Sequence, residues 1–266
     1  MKGARPVPRL AFGPDLRAGD RVLPIESAVA LSFNGSTQAV MMATPDDLVD
    51  FAYGFALTEG IAQPDEILSV DVVDTTRGID VQVWLKPQAE GRLAARRRTM
   101  AGPVGCGLCG IDSIDQALRD VAPVAHTAFR LTPAQVMAAV SALPGSQPLH
   151  DATRAAHCAA WWTPEGILAA REDVGRHNAL DKLAGYLIRN PRPEGAVVLT
   201  SRVSIDMVQK VAALGAGILI AVSAPTADAV ALADRAGITL FALARPDRFE
   251  AYTHTDRLMT ETTNVR

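Results

Sequence analysis

The chain is poor in the features that mark several large classes. It holds only three cysteines, two of them in one C-x-x-C, too few for the multi-bridge framework of a small secreted domain. It has no excess of either charge. Its 26 Lys+Arg against 29 Asp+Glu leave a formal net charge of −3, without the strongly basic balance that wholesale nucleic-acid binding brings. No apolar run approaches the ~20 residues that span a bilayer. The longest, residues 211–222, contains two glycines and reads as a buried strand. The start, Met1-Lys2-Gly3-Ala4-Arg5-Pro6, continues through Pro8, Pro14 and Asp15 and lacks the apolar core of a secretory signal. The expectation is a cytoplasmic protein with reduced thiols and neither a membrane nor a nucleic-acid partner. What is present is ordinary for a globular chain, 48% apolar and 21% charged, and 266 residues allow one large domain or two small ones.

Two rhythms divide the chain. In residues 28–42 two apolar runs flank Asn34-Gly35, the signature of a two-residue hairpin turn. Thr44-Pro45-Asp46-Asp47 predicts a helix start with Thr44 as cap, and Gly60 its end. Residues 67–74 and 79–85 predict strands around Thr75-Thr76-Arg77-Gly78, so the first half is small and α+β. From Lys86 to Pro103 the pattern dissolves around Arg96-Arg97-Arg98, which reads as a mobile basic linker, and Ser113-Ile114-Asp115-Gln116 then gives a capping box. Thr132-Pro133-Ala134-Gln135 opens another helix, and a Pro- and Gly-rich loop follows to Leu149. The last hundred residues alternate short apolar runs at 197–200, 218–222 and 238–243 with helical patterns from Ser204 and Thr226. That is a β-α-β-α-β order and predicts a mostly parallel sheet covered on both faces.

Gly105-Cys106-Gly107-Leu108-Cys109-Gly110 carries the clearest chemistry. Glycines let another molecule approach the sulfur closely, and a thiol beside three arginines and a helix N-terminus gains thiolate character. Structural zinc needs four ligands and the motif supplies two, with the adjacent His157 and Cys158 as the candidates elsewhere. The same residues satisfy G-x-G-x-x-G, but the Arg-rich segment before them is not the buried strand a dinucleotide site requires. Pro103 with the two cysteines echoes half of a zinc-deaminase signature, yet no H-x-E accompanies it.

Two further groups stand out. Residues 171–182 hold Arg171, Glu172, Asp173, Arg176, His177, Asn178, Asp181 and Lys182, a density that a core tolerates only when every group is paired. Its plain reading is a solvated helix start with Asp173 as cap, but His177, Asn178 and Lys182 exceed what capping needs and favour a functional site. After the three C-terminal strands come Thr200-Ser201-Arg202, Ser223-Ala224-Pro225-Thr226, and Arg245 with Arg248. Ligands of open α/β sheets bind beyond the carboxyl ends of strands, and hydroxyls, helix N-termini and arginines there suit phosphate or diphosphate. Ordinary caps and exposed arginines are the competing reading. No Walker lysine motif is present.

Taken together, Cys106-Gly107-Leu108-Cys109-Gly110, residues 172–182, Arg202-Val203-Ser204 and Ala224-Pro225-Thr226 resemble the FdhD family, the sulfur carriers needed for active formate dehydrogenase. The resemblance runs from Met42-Ala43-Thr44-Pro45-Asp46-Asp47 and Leu57-Thr58-Glu59-Gly60 to Tyr252-Thr253. It implies a small N-terminal domain, residues 1–125 with the mobile cysteine loop at about 86–112, and a cytidine-deaminase-like α/β/α domain over residues 126–266. It further implies a homodimer that takes persulfide sulfur from a cysteine desulfurase and passes it to the molybdenum bis-guanine-dinucleotide cofactor of the formate dehydrogenase catalytic subunit. No intrinsic metal is implied. Cys106 matches the persulfide cysteine and Cys109 the second, assisting one. The family's cofactor segment matches Leu243-Ala244-Arg245-Pro246-Asp247-Arg248, and Arg202, Ser223, Thr226 and His177 are the further candidates for contact. Ser201-Arg202-Val203-Ser204-Ile205-Asp206 and Arg154-Ala155-Ala156-His157 depart from the family's usual Gly-Arg-Val-Ser-Ser-Glu and Gly-Gly-x-His. Two other functions compete with the sulfurtransferase: a non-catalytic chaperone that holds the molybdenum cofactor, and a thiol–disulfide oxidoreductase using Cys106 and Cys109.

Overall fold

The computed structural model describes residues 3–89, 91–93 and 121–259. An N-terminal ribbon pairs β1 (Ala4–Ala11) with β2 (Arg17–Pro24). Then β3 (Ser27–Phe33) and β4 (Ser36–Ala43) form the hairpin that Asn34-Gly35 predicts, with both turn residues at positive φ. Helix α1 (Leu48–Thr58) follows, and β5 (Ile67–Thr75) and β6 (Gly78–Leu85) complete a sheet of order β4-β3-β6-β5. Alternation along β3 and β6 sends Val29, Leu31, Phe33, Val81, Val83 and Leu85 to one face, where Phe51 and Phe55 of α1 cover them.

The local start of α1 differs from expectation. The helix begins at Leu48 with Asp47 in the left-handed region as its cap, and Thr44 lies outside it. Residues 86–89 and 91–93 are also not a loose linker, since Ala89 and Leu93 are buried in the N-terminal core and Arg92 pairs with Glu66.

The second half contains α2 (Pro133–Ala142), α3 (Pro148–Thr153), β7 (His157–Thr163), β8 (Gly166–Asp173), α4 (Arg176–Arg189), β9 (Ala196–Leu199), α5 (Ile205–Leu214), β10 (Ile218–Ala221), α6 (Ala227–Arg235), β11 (Thr239–Arg245) and β12 (Arg248–Thr253). Its sheet has the order β12-β11-β10-β9-β7-β8. The three strands β9, β10 and β11 are parallel as the β-α-β-α-β pattern predicts, and antiparallel pairs extend the sheet at both margins, making it mixed. Residues of alternate parity meet α4, α5 and α6 on one face and α2 on the other, which gives three α/β/α layers. Val121 and Val124 already pack against the α4–α6 side. Within the apolar run 211–222 the strand is only its last part, because Gly215 ends α5 in the left-handed region and β10 starts at Ile218.

The two halves meet where α1 crosses α4. Gly54 and Gly185 sit at the crossing, and a Cβ on Gly54 would come within 1.7 Å of the Asp181 carbonyl oxygen, one on Gly185 within 1.8 Å of that of Asp50. Only hydrogen permits this approach. Around it Asp50 binds Arg171 and Arg189, which stack on Tyr186 and Tyr53. On the other side Asp181 binds Thr58 and Lys210, and Lys210 also reaches Glu59. Burial drives the Asp181 carboxyl up and Lys210 opposes it; the same pairing keeps the Lys210 ammonium charged against its burial. A Gly185→Ala variant is expected to lose about 3 kcal/mol of stability, because overpacking here meets backbone that cannot yield. Urea unfolding followed by far-UV circular dichroism measures it.

Candidate functional site

The carboxyl ends of β9, β10 and β11 are tied into one rim. Val203 pairs with Pro225, the Thr226 N–H donates to the Val203 carbonyl at 2.9 Å, and the Leu243 N–H donates to that of Ser223 at 3.3 Å. Because β7 runs antiparallel to β9, its first residue His157 emerges at this same edge, opposite Asp173 at the end of β8. Two residues later α4 begins and brings Arg176 and His177 to the rim. His177 pairs with Asp206 in the first turn of α5. Burial alone would raise the Asp206 carboxyl, but the hydrogen bond and charge of His177, with Ser204 and Arg176, hold it well below the usual carboxylate range. His157 is half-buried, and its burial together with Arg176, His150 and His177 pushes its imidazole below the ordinary value. The edge therefore gathers cationic and imidazole groups, as an anion site requires.

The expected ligand residues fare differently. Arg202 is exposed at the rim and Ser223 is partly exposed beside it. The hydroxyl of Thr226 accepts from the Ala229 N–H and caps α6, its ordinary helical duty. Leu243 holds a left-handed φ of 51°, rare without glycine, where the β11–β12 register shifts. Ala244 is fully buried. Arg245 closes β11 and donates to the carbonyls of Val222 and Ala244, so much of its guanidinium binds the protein itself. Pro246 and Asp247 form a hairpin tip, and exposed Arg248 opens β12 beside Asp247. The cluster 243–248 is thus a tight hairpin whose ligand-facing candidates are Leu243 and Arg248. Cys106, Cys109, Arg96-Arg97-Arg98 and the helix expected at Ser113 lie outside the described residues.

The polar run 171–182 is mostly structural, which corrects the functional expectation for Asn178 and Lys182. Asp173 and Lys182 are fully buried and 2.6 Å apart. Asp173 accepts from the Thr44 N–H, the Gly175 N–H and the Asn178 side chain; Lys182 also donates to the Thr44 carbonyl, and Asn178 to that of Met42. Every group is paired, and the network stitches β4 to α4. Glu172 accepts from the Leu149 and His150 N–H groups at the start of α3, while burial pushes its carboxyl up. Only Arg176 and His177 of the run face the rim chemistry. Sequence reasoning passed over Asp206 and undervalued His157. The signal for both was position alone: His157 opens the strand antiparallel to β9, and Asp206 lies in the first turn of the helix that follows β9.

Cys158 is buried on β7, and burial with the nearby Glu172 pushes its thiol up to about 12. It is a packed apolar side chain rather than a nucleophile.

Comparison with known proteins places this geometry. The sequence model of the FdhD/NarQ family matches residues 24–259. A protein of Agrobacterium fabrum named sulfur carrier protein FdhD is 53% identical over 91% of this chain and 90% of its own. One of Brucella abortus with the same name is 52% identical over 90% of each chain. A crystal structure from Desulfotalea psychrophila, named for a formate dehydrogenase accessory role, superposes with a TM-score of 0.77 at 25% identity, covering 97% of this chain and all of that one.

Two outcomes follow from the buried groups. Lys182→Met should cost about 3–5 kcal/mol in denaturant unfolding, since it strands the Asp173 charge in the interior. In native protein at pH 8, iodoacetamide should leave Cys158 unmodified by peptide mass spectrometry and label it only after unfolding, because its thiolate fraction is negligible.

Proposed function

The chain belongs to the FdhD/NarQ family, and we propose that it is a sulfurtransferase that works through a persulfide on Cys106 and delivers sulfur to a molybdenum bis-guanine-dinucleotide cofactor destined for formate dehydrogenase. What carries the reading is the intact Cys106-Gly107-Leu108-Cys109-Gly110 motif in a chain about half identical to proteins named sulfur carriers. In the first step the Cys106 thiolate attacks the outer sulfur of a persulfide on a cysteine desulfurase. A bond forms between the Cys106 sulfur and that outer sulfur, the donor's S–S bond breaks, and the donor cysteine leaves as thiolate. Flanking glycines leave the approach open. Cys109 assists, holding or relaying the sulfur.

The cofactor is cargo here, and the rim suits its phosphates. Arg202, Ser223 and Arg248 face outward at the strand ends, and His177, held by Asp206, orients a ligand lying across α4 and α5. Thr226, Ala244 and Arg245 support the rim from behind, through a cap and carbonyl bonds. Two copies of the chain, each with its own rim, match a ligand with two guanine-nucleotide ends, so a homodimer is part of the proposal.

Intact-protein mass spectrometry after incubation with an active cysteine desulfurase and cysteine tests the sulfur step. Wild type should gain one cyanide-labile sulfur atom and Cys106→Ala none. Failure of wild type to gain sulfur, with the donor shown active, would favour the chaperone reading.

A further inference from the structure

Strand β5 is an open margin of the N-terminal sheet, whose order is β4-β3-β6-β5. The opposite margin, β4, is occupied at its end by the second half of the chain, because Asn178 donates to the Met42 carbonyl and Asp173 accepts from the Thr44 N–H. On β6 the Val83 carbonyl accepts from the Asn34 N–H, so Val83 turns its backbone groups toward the β3 side and away from β5. The N–H and C=O of a strand residue point to the same side and alternate along the chain. Val70, Val72 and Asp74, opposite Val83, Val81 and Ile79, therefore aim theirs outward. No hydrogen bond among the described residues takes these groups, and residues 71–75 are exposed on both faces.

The β1–β2 ribbon offers a matching edge. The Ile25 N–H donates to the Gly3 carbonyl, and this pair continues the ribbon's register, so every second pair after it is hydrogen-bonded. Pro6 opposite Val22 and Pro8 opposite Asp20 fall between those pairs. The outer edge of β1 thus lacks two N–H groups, whereas the outer edge of β2 carries the N–H and C=O of Ala18, Asp20 and Val22. No hydrogen bond among the described residues takes them either. Proline blunts one edge of the ribbon and leaves the other able to pair. The charges of the two open strands are opposite in balance: β2 has two arginines and one aspartate, and β5 has two aspartates and no cation.

We propose that the β2 edge of one copy pairs antiparallel with the β5 edge of a second copy, and reciprocally, so that the homodimer is built by exchanged ribbons. This rests on the homodimer reading above. One register joins the outward groups of both strands: Val22 meets Val70, Asp20 meets Val72 and Ala18 meets Asp74 of the second copy. Between them Arg21 meets Asp71 and Gly19 meets Val73. The register sets an arginine against a carboxylate and valine against valine, and it opposes no like charges. Arg21 donates to the Thr153 carbonyl through Nη2 and keeps further donors for the carboxylate. A two-fold axis repeats the contact, so both ribbons are engaged. Each N-terminal sheet then gains two strands and ends on the proline-blunted edge of β1, which stops it from growing further.

The test uses the full-length protein. Sedimentation equilibrium should show a dimer for wild type, a dissociation constant raised about tenfold by Asp71→Arg, and recovery of most of that loss in Arg21→Asp/Asp71→Arg. Residues 19 and 73 of the two copies would form a non-hydrogen-bonded pair, with Cα atoms about 4.5 Å apart and within disulfide reach. A Cβ on Gly19 meets nothing within 4 Å, and Val73 is exposed. Mild oxidation of Gly19→Cys/Val73→Cys should therefore give a covalent dimer on non-reducing gels, with peptide mass spectrometry placing the link between positions 19 and 73, and neither single variant should give that link. A dimer that does not cross-link through these positions would overturn the exchanged ribbon and leave the homodimer reading standing. A wild type that is monomeric at every concentration would overturn both, while the sulfur step is read separately by the mass gain on Cys106.

Discussion

Everything in the described structure is referred to the crossing of α1 over α4. Two helices approach this closely only when both present glycine at the contact, and Gly54 and Gly185 do so. The consequence is geometric. Asp50 on α1 meets Arg171 and Arg189 across the contact and Glu59 meets Lys210, while Asp173 and Asp181, paired with Lys182 and Lys210 of their own half, accept from the Thr44 N–H and the Thr58 hydroxyl of the other. Buried ion pairs add little net stability over apolar packing, but breaking one is costly, so these contacts favour one way of docking the halves and penalise others. The end of β4 is thereby held beside the end of β8, just before α4 brings Arg176 and His177 to the rim.

This explains why two similar sequences behave differently. Thr132-Pro133-Ala134-Gln135 caps a helix as its pattern predicts, because Gln135 is long enough to reach back to the Thr132 N–H and complete the box. Thr44-Pro45-Asp46-Asp47 offers the same Thr-Pro start, but Asp47 in the third position is too short to close it. The Thr44 N–H and hydroxyl are instead taken by Asp173 and Val174, about 130 residues away, and the helix starts at Leu48. The local code was readable in both cases. In the second a buried long-range partner outweighed it.

The same distinction separates what was legible in the site from what was not. Apolar runs alternating with helical patterns located the three parallel strands, and their ends located Arg202, Ser223 and Arg248 without any knowledge of contacts, whereas Leu243 entered only through the family resemblance. Which polar residues serve the fold was not legible, because pairing is a property of three dimensions: Asn178 and Lys182 look as functional as His177 until Asp173 and Thr44 appear beside them. The N-terminal ribbon was hidden for another reason. Pro6 and Pro8 lack the N–H that a strand donates, but lying two residues apart they share one side of the pleat and the same edge of the strand, where a missing N–H removes no ladder bond.

The sulfur transfer proposed above sets two opposed demands on one chain. The nucleophile must reach a donor protein and then a bound ligand, which calls for freedom of the glycine-flanked cysteine segment. The ligand must be held in one pose, which calls for a rim that cannot shift. Rim residues are fixed here by backbone ties between loops, by Arg245 on the Val222 and Ala244 carbonyls, and by His177 on Asp206. The first two of these ties join residues at the carboxyl ends of the parallel strands, so the rim is set by the same backbone that builds the sheet, and on the proposed reading selectivity for the cargo would lie in the fold rather than in the thiols.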